Sequence, residues 1–113
     1  MTEINLGELI QQGEKLQEEG KFDEAIQRFQ QVVEAKEDYV LGHLTLAVLH
    51  GKVGQHEDAV KHGEKACKLE PNEPFNFTAM SVTYQRAFAG TQNQQYIPLA
   101  EEAMAHAHRL QGR

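Results

Sequence analysis

The chain has 113 residues, of which 40% are hydrophobic and 25% are charged, and its formal net charge at pH 7 is −6. This length suits one domain with a modest core, and the acidic balance excludes a nucleic-acid-binding role, which needs a basic stripe. The chain has no run of about 18 apolar residues, so no membrane span is predicted. It does not start with a basic segment followed by an apolar one, so no secretory signal is predicted.

Apolar residues recur at three- and four-residue spacing along almost the whole chain, which is the spacing of amphipathic helices. Leu6, Leu9 and Leu16 form one such stripe near the start. The polar stretch 90–96 interrupts the pattern and predicts a long loop, which is either a tolerated insertion or one wall of a binding site. The predicted helices span residues 5–19, 23–37, 40–53, 57–69, 74–89 and 96–110.

Two seven-residue segments repeat at a separation of 34 residues. Residues 20–26 read GKFDEAI and residues 54–60 read GQHEDAV, so each has a glycine, a variable pair, two acids, an alanine and a β-branched residue. A period of this length is typical of stacked helix–turn–helix units, none of which can bury its apolar face alone. The glycines suit turns that need a positive φ, and the acids then lie in the first turn of the following helix.

The residues that carry this period resemble the tetratricopeptide repeat (TPR) family. The resemblance implies an all-α fold, a right-handed α-solenoid of three antiparallel helical hairpins, as a single domain over 1–113 with repeats at about 6–39, 40–73 and 74–110. The third repeat is divergent, since its alanine pair is displaced by seven residues. The matching residues are Gly13, Gly20, Ala25 and Phe29 in the first repeat; Leu46, Gly54, Ala59, Ala66 and Pro71 in the second; and Phe77, Ser81, Tyr84, Ala100 and Ala107 in the third.

Small residues in this pattern suggest where helices cross closely. We expect Gly13 to meet Ala25, and Ala47 to meet Ala59, at the crossings within the first two hairpins.

Charge is graded along the chain. Residues 6–39 hold nine acids and four bases, whereas residues 74–113 hold two acids and three bases. The gradient is either a solvated acidic face or a field that orients a partner.

The sequence gives no support for catalysis, a cofactor or a metal. The glycines follow the repeat rather than a phosphate-binding loop, and the only serine, Ser81, occupies a small-residue position. His43 and His50 share a helix face but lie about 10 Å apart, too far to hold one ion without a third element between them. We therefore expect a non-enzymatic protein in which these histidines take an aromatic packing role.

The single cysteine, Cys67, excludes a disulfide within the chain and fits the cytoplasm. The residue is either structural or a redox-reactive thiol.

The TPR resemblance implies that the first helix of each repeat lines a concave groove. At those positions the second and third repeats supply an apolar floor with cations toward its edge, which predicts a site for a largely apolar peptide or helix of a partner protein. Either the last hairpin or a second copy of the chain could instead cover this floor. The predicted groove residues are Leu41, Leu44, Thr45, Val48, Lys52, Phe75, Val82 and Arg86.

One ligand class of the family is not expected. Chaperone-binding TPR domains use lysine, asparagine and arginine to clamp a C-terminal carboxylate, whereas the corresponding residues here are Ile10, Glu14, Thr45, Phe75 and Ala79. The expected role is therefore a protein-interaction scaffold with no nucleic-acid or membrane partner. The alternative is a self-assembly module that dimerises or stacks through the same groove or through an uncapped C-terminal hairpin.

Overall fold

The computed structural model describes residues 5–112, which form six α-helices and no β-strand. The helices pair into three successive antiparallel hairpins, and each hairpin packs on the next. This confirms the all-α hairpin architecture. The helices are α1 Leu6–Glu18, α2 Phe22–Ala35, α3 Val40–Lys52, α4 His56–Leu69, α5 Pro74–Thr91 and α6 Tyr96–Gln111.

The turns inside the first two hairpins depend on glycine. Gly20 has φ 77° and Gly54 has φ 80°, in the left-handed region that other residues enter only at a cost. In both hairpins an acidic pair follows in the first turn of the second helix, where it complements the helix dipole. The repeated segment therefore encodes the turn and the helix start together, as predicted.

Helix α5 begins at a well-defined cap. The Glu73 carboxylate accepts a hydrogen bond from the backbone N–H of Phe75 at 3.1 Å, and Pro74 occupies the first helical position, where no backbone donor is needed.

The main core lies where the first two hairpins meet. Phe29 is buried against Leu46 and Leu49, and Phe22 packs at the edge of the same cluster. A second cluster around Met80 and Tyr84 joins the third hairpin to α4. Fully burying a leucine side chain contributes about 1.5–3 kcal/mol, so these clusters hold the stack together.

The prediction of a long loop over 90–96 is wrong. Helix α5 continues to Thr91, and the Thr91 hydroxyl donates a hydrogen bond to the Ala87 carbonyl at 2.7 Å. Gln92 is the C-cap of the helix: its φ of 62° is left-handed, and its N–H donates to the Phe88 carbonyl at 2.7 Å. Gly90 lies within the helix, and its lack of a side chain makes room for the His56 ring, which a Cβ at this position would overlap.

At Gly13 the nearest neighbour is Phe29, one turn beyond the expected Ala25. A Cβ at Gly13 would come 2.5 Å from the Phe29 ring, so the missing side chain makes room for this aromatic ring. Ala25 itself is fully buried in the core. In the second hairpin, Ala47 and Ala59 are both buried, and Ala47 lies close to Gly63 of α4.

Candidate functional site

Helices α3 and α5 lie side by side on the inner face of the stack. They contact each other directly, whereas α4 makes no comparable contact with α2 or α6 within residues 5–112. Three large apolar side chains on these helices remain exposed, with 60% of Leu41, 61% of Phe75 and 37% of Val82 accessible to solvent. We call the surface of Leu41, Leu44, Val48, Phe75 and Val82 the inner strip.

The inner strip contains two connected hollows. One, of about 380 Å³, lies at the N-terminal ends of α3 and α5 around Leu41 and Tyr39. The other, of about 240 Å³, lies farther along around Val48 and Val82. Leu44 and Phe75 line both hollows, so the two hollows are neighbours along the inner strip.

Leu44 differs from the other members of the strip. Only 9% of the residue is exposed, although it lines both hollows together with Phe75. An aspartate at position 44 would be buried without a partner, so this substitution would destabilise the fold as well as alter the groove. The exposed members are better probes of binding.

Opposite charges lie at the two ends of the inner strip. Asp38, Glu70 and Glu73 line the hollow at the N-terminal ends of α3 and α5, and Arg86 lines the other hollow. None of these four side chains forms an ion pair with another residue in the part of the chain that the structure describes. One cation also lies near the acidic end, since the Lys36 ammonium is 5.8 Å from the centre of the Tyr39 ring that lines it.

Two other predicted groove residues are already engaged within the domain. The Lys52 ammonium lies over the Phe22 ring, 5.0 Å from its centre, and so reaches toward the first hairpin rather than toward α5. The Thr45 hydroxyl donates to the Leu41 carbonyl at 2.8 Å. Arg86 is therefore the cation on the strip itself.

A stack of three histidines lies between α3 and α4, and the sequence did not reveal it. The His62 ring of α4 lies between His43 and His50 of α3, with 5.4 Å between ring centres on each side. The His62 ring therefore fills the space between His43 and His50, which lie too far apart to touch each other. Across residues 5–112, no group of three or more histidine, cysteine or acidic side chains has the geometry to hold a metal ion.

Hydrogen bonds fix the protons on the first two rings of this stack. His43 Nε2 lies 2.8 Å from the Glu37 carbonyl, which can only accept, so His43 carries its proton on Nε2. In a neutral ring, His43 Nδ1 is then an acceptor, and His62 Nδ1, at 3.1 Å, donates to it. Burial, followed by the nearness of His43 and His50, lowers the pKa of His62 from 6.5 to about 4.

Cys67 is packed as a structural side chain. Its thiol donates to the Asn76 carbonyl at 3.5 Å, and the Asn76 amide in turn donates to the Glu70 carbonyl at 3.2 Å. Burial and the nearby Glu64 carboxylate raise the pKa of Cys67 to about 11. A thiol in this state is a poor nucleophile at neutral pH, which argues against the redox alternative.

A second apolar surface lies at the free face of the last hairpin. A cleft of about 700 Å³ between α5 and α6 is lined by Phe88, Ile97 and Met104, and 42% of Ile97 is exposed. We call this the terminal cleft. No helix among residues 5–112 combines the length and the apolar character of a membrane span.

No protein-family model matches the sequence, and no curated protein has a significantly similar sequence. Solved structures do share the fold. MamA superposes with a TM-score of 0.80 at 14% identity, over 96% of this chain and 59% of MamA, so the chain spans less than two thirds of that protein. The second TPR of Spaghetti (RPAP3), solved with the HSP90 peptide SRMEEVD, gives a TM-score of 0.75 at 20% identity over 93% of this chain and 91% of its own.

A third likeness is to PcrH in complex with the chaperone binding region of PopD. It gives a TM-score of 0.62 at 20% identity, over all of this chain and 96% of PcrH. At these identities the comparison concerns the fold, and it agrees with the repeated turn glycines and the three hairpins. The chain therefore has the tetratricopeptide-repeat fold, with about three repeats in its six helices.

Proposed function

We propose that this domain is a non-enzymatic protein-interaction scaffold that holds a short, largely apolar segment of a partner protein on the inner strip. The observation that carries the proposal is the exposure of Leu41, Phe75 and Val82 along two neighbouring hollows of the inner strip. Exposed apolar side chains that are contiguous and surrounded by charge are typical of interaction sites. The cytoplasm is the compartment we propose, because the one cysteine is a free thiol.

Two proteins of the same fold support a role in binding peptides or protein segments. The Spaghetti domain was solved with an HSP90 peptide, and PcrH with a region of PopD. We expect a different ligand from the first of these, because Phe75 and Ala79 replace cationic clamp residues and Thr45 donates to its own helix. An apolar segment fits the strip better than a terminal carboxylate does.

A display selection tests the proposal without a known partner. Peptides of about twelve residues are selected against the immobilised protein, and the best binder is measured by calorimetry against three variants. The variants are Leu41→Asp, Ile97→Asp and Leu99→Asp, each of which replaces an exposed aliphatic side chain. Leu41 belongs to the inner strip and Ile97 to the terminal cleft, whereas Leu99 belongs to neither. Thermal melts establish that each variant is folded.

The inner strip predicts that Leu41→Asp alone weakens binding, by at least about tenfold, because buried apolar anchors dominate interface energies. The control Leu99→Asp should bind as the parent does. Equal affinity of Leu41→Asp and the parent would refute the assignment of the strip.

Self-association is the second candidate function, and the terminal cleft is the observation that favours it. The cleft exposes apolar side chains, Ile97 among them, that a second copy of the chain can cover. Under this alternative, light scattering shows a dimer or larger species whose mass falls to that of a monomer in Ile97→Asp. A parent that stays monomeric at high concentration would exclude it.

A further inference from the structure

We propose that the inner strip takes an amphipathic partner helix of about three turns, antiparallel to α3 and α5, with acidic residues at its N-terminal end and basic residues at its C-terminal end. This inference rests on the proposed function of the strip and adds the chemistry and direction of its ligand. The observation behind it is the separation of charge along the groove.

The two helices that form the strip run in the same direction. Leu41 and Phe75, near the starts of α3 and α5, line one hollow together. At the other end, a Cβ on Gly51 would lie 3.9 Å from the Arg86 side chain, so the ends of the two helices are also adjacent. The groove therefore has one end made of helix N-termini and another made of helix C-termini.

Charge follows this direction. The end with the helix N-termini carries the carboxylates of Asp38, Glu70 and Glu73 against the one ammonium of Lys36, so it stays net acidic, and the end with the C-termini carries Arg86. Glu73 is partly used as the cap of α5, whereas Asp38 and Glu70 are exposed and without an ion pair among residues 5–112. A ligand that neutralises both ends must carry bases at one end and acids at the other.

A helix supplies that order of charge at no cost to its own stability. Acidic side chains stabilise a helix at its N-terminus and basic ones at its C-terminus. If the acids face Arg86 and the bases face Asp38 and Glu70, the ligand helix lies antiparallel to α3 and α5 and its dipole opposes theirs. The opposite orientation would place the favoured charges of the ligand against like charges of the groove.

The length of the groove sets the length of the ligand. Phe75 and Arg86 are eleven residues apart on α5, which is about 16 Å along the helix axis and about three turns of a partner. The apolar part, from Leu41 to Val48, spans about 10 Å, the reach of anchors at positions i, i+4 and i+7.

Three designed peptides test the inference, each with the same apolar anchors and a hydrocarbon staple that keeps it helical. The forward peptide has acids first and bases last, the reversed peptide has the opposite order, and the third has neutral ends. Calorimetry at low salt should give the forward peptide about tenfold higher affinity than the reversed one, and high salt should reduce the difference.

A charge-reversed protein provides the matched control. The triple variant Asp38→Lys, Glu70→Lys, Arg86→Glu leaves the Glu73 cap and the apolar anchors in place, and circular dichroism verifies its fold. It should prefer the reversed peptide by a similar factor and bind the neutral peptide as the parent does. A preference that does not change sign would overturn the charge assignment.

The remaining outcomes separate this inference from the function on which it rests. Equal affinities for all three peptides would overturn the proposed direction and leave the apolar strip as a binding site. No binding of any of them, the neutral peptide included, would refute both proposals. If an unstapled forward peptide with a central proline binds as well as the stapled one, the ligand is extended. If the protein forms a stable dimer that none of the three peptides displaces, the inner strip is occupied by a second copy of the chain. Either result would overturn the proposal of a partner helix.

Discussion

Acidification should destabilise this domain through His62, and the stack of histidines sets the size of the effect. Burial and the neighbouring His43 and His50 favour the neutral ring in the folded state, where the pKa of His62 is about 4, whereas an unfolded chain has the ordinary value of 6.5. Between these values the unfolded state binds more protons, so the free energy of unfolding falls as the pH falls. The stabilisation is complete above about pH 7.5 and is lost as the pH falls from 6.5 toward 4.

The two pKa values fix the magnitude. A change in pKa from 6.5 to about 4 is worth at most about 3.4 kcal/mol, and because solvent screens the partly exposed His62 ring, the loss between pH 8 and pH 5 is at most about 2 kcal/mol. Urea unfolding followed by circular dichroism at both pH values measures this loss directly. His62→Gln keeps a donor for His43 and cannot titrate, so its loss should be smaller than that of the parent by an amount between about 1 and about 2 kcal/mol.

His108 provides the matched control, because it is exposed near the end of α6. His108→Gln should show the pH dependence of the parent. If the parent and His62→Gln lose the same free energy between pH 8 and pH 5, the assignment of a neutral, desolvated His62 is refuted.

Three further predictions follow from the repeat and the groove. Ala25→Leu and Ala59→Leu each add bulk at a buried site, so each should lower the free energy of unfolding, measured by urea titration, by about 1–3 kcal/mol. If both variants unfold at the same urea concentration as the parent, these sites are not tightly packed. Gly20→Ala should lower the free energy of unfolding by about 1–2 kcal/mol in the same measurement, because Gly20 has a φ of 77°. Gly7→Ala, at an exposed helical position early in α1, is the comparison variant and should not show this loss. A peptide ending in an acidic chaperone tail should show no carboxylate-dependent affinity in calorimetry, and low-micromolar binding lost on amidation of its C-terminus would contradict this.

The sequence predicted most of the fold because its information is local and repeated. Gly20 and Gly54 mark turns that only a few residue types tolerate, and the apolar spacing on either side gives the helices to within about two residues. The end of α5 was missed because Gly90, a typical helix breaker, is here required by the packing of His56, a contact between two helices distant in sequence.

The site was harder to predict because it depends on how far each side chain lies below the surface. The pattern predicted Leu41, Leu44, Val48, Phe75 and Val82 as one group, yet it did not distinguish the buried Leu44 from exposed neighbours such as Leu41 and Phe75. His62 carried no signal of its own, since its partners are 12 and 19 residues away on another helix and only the register of α3 against α4 brings them together.

The most direct test of the inner strip is methyl NMR of the protein bound to the selected peptide. Intermolecular NOEs are measured from the peptide to isoleucine, leucine and valine methyl groups after assignment. We predict NOEs to Leu41, Val48 and Val82, and none to Ile97 or Leu99. NOEs that reach Ile97 or Leu99 and omit the three strip residues would contradict the account.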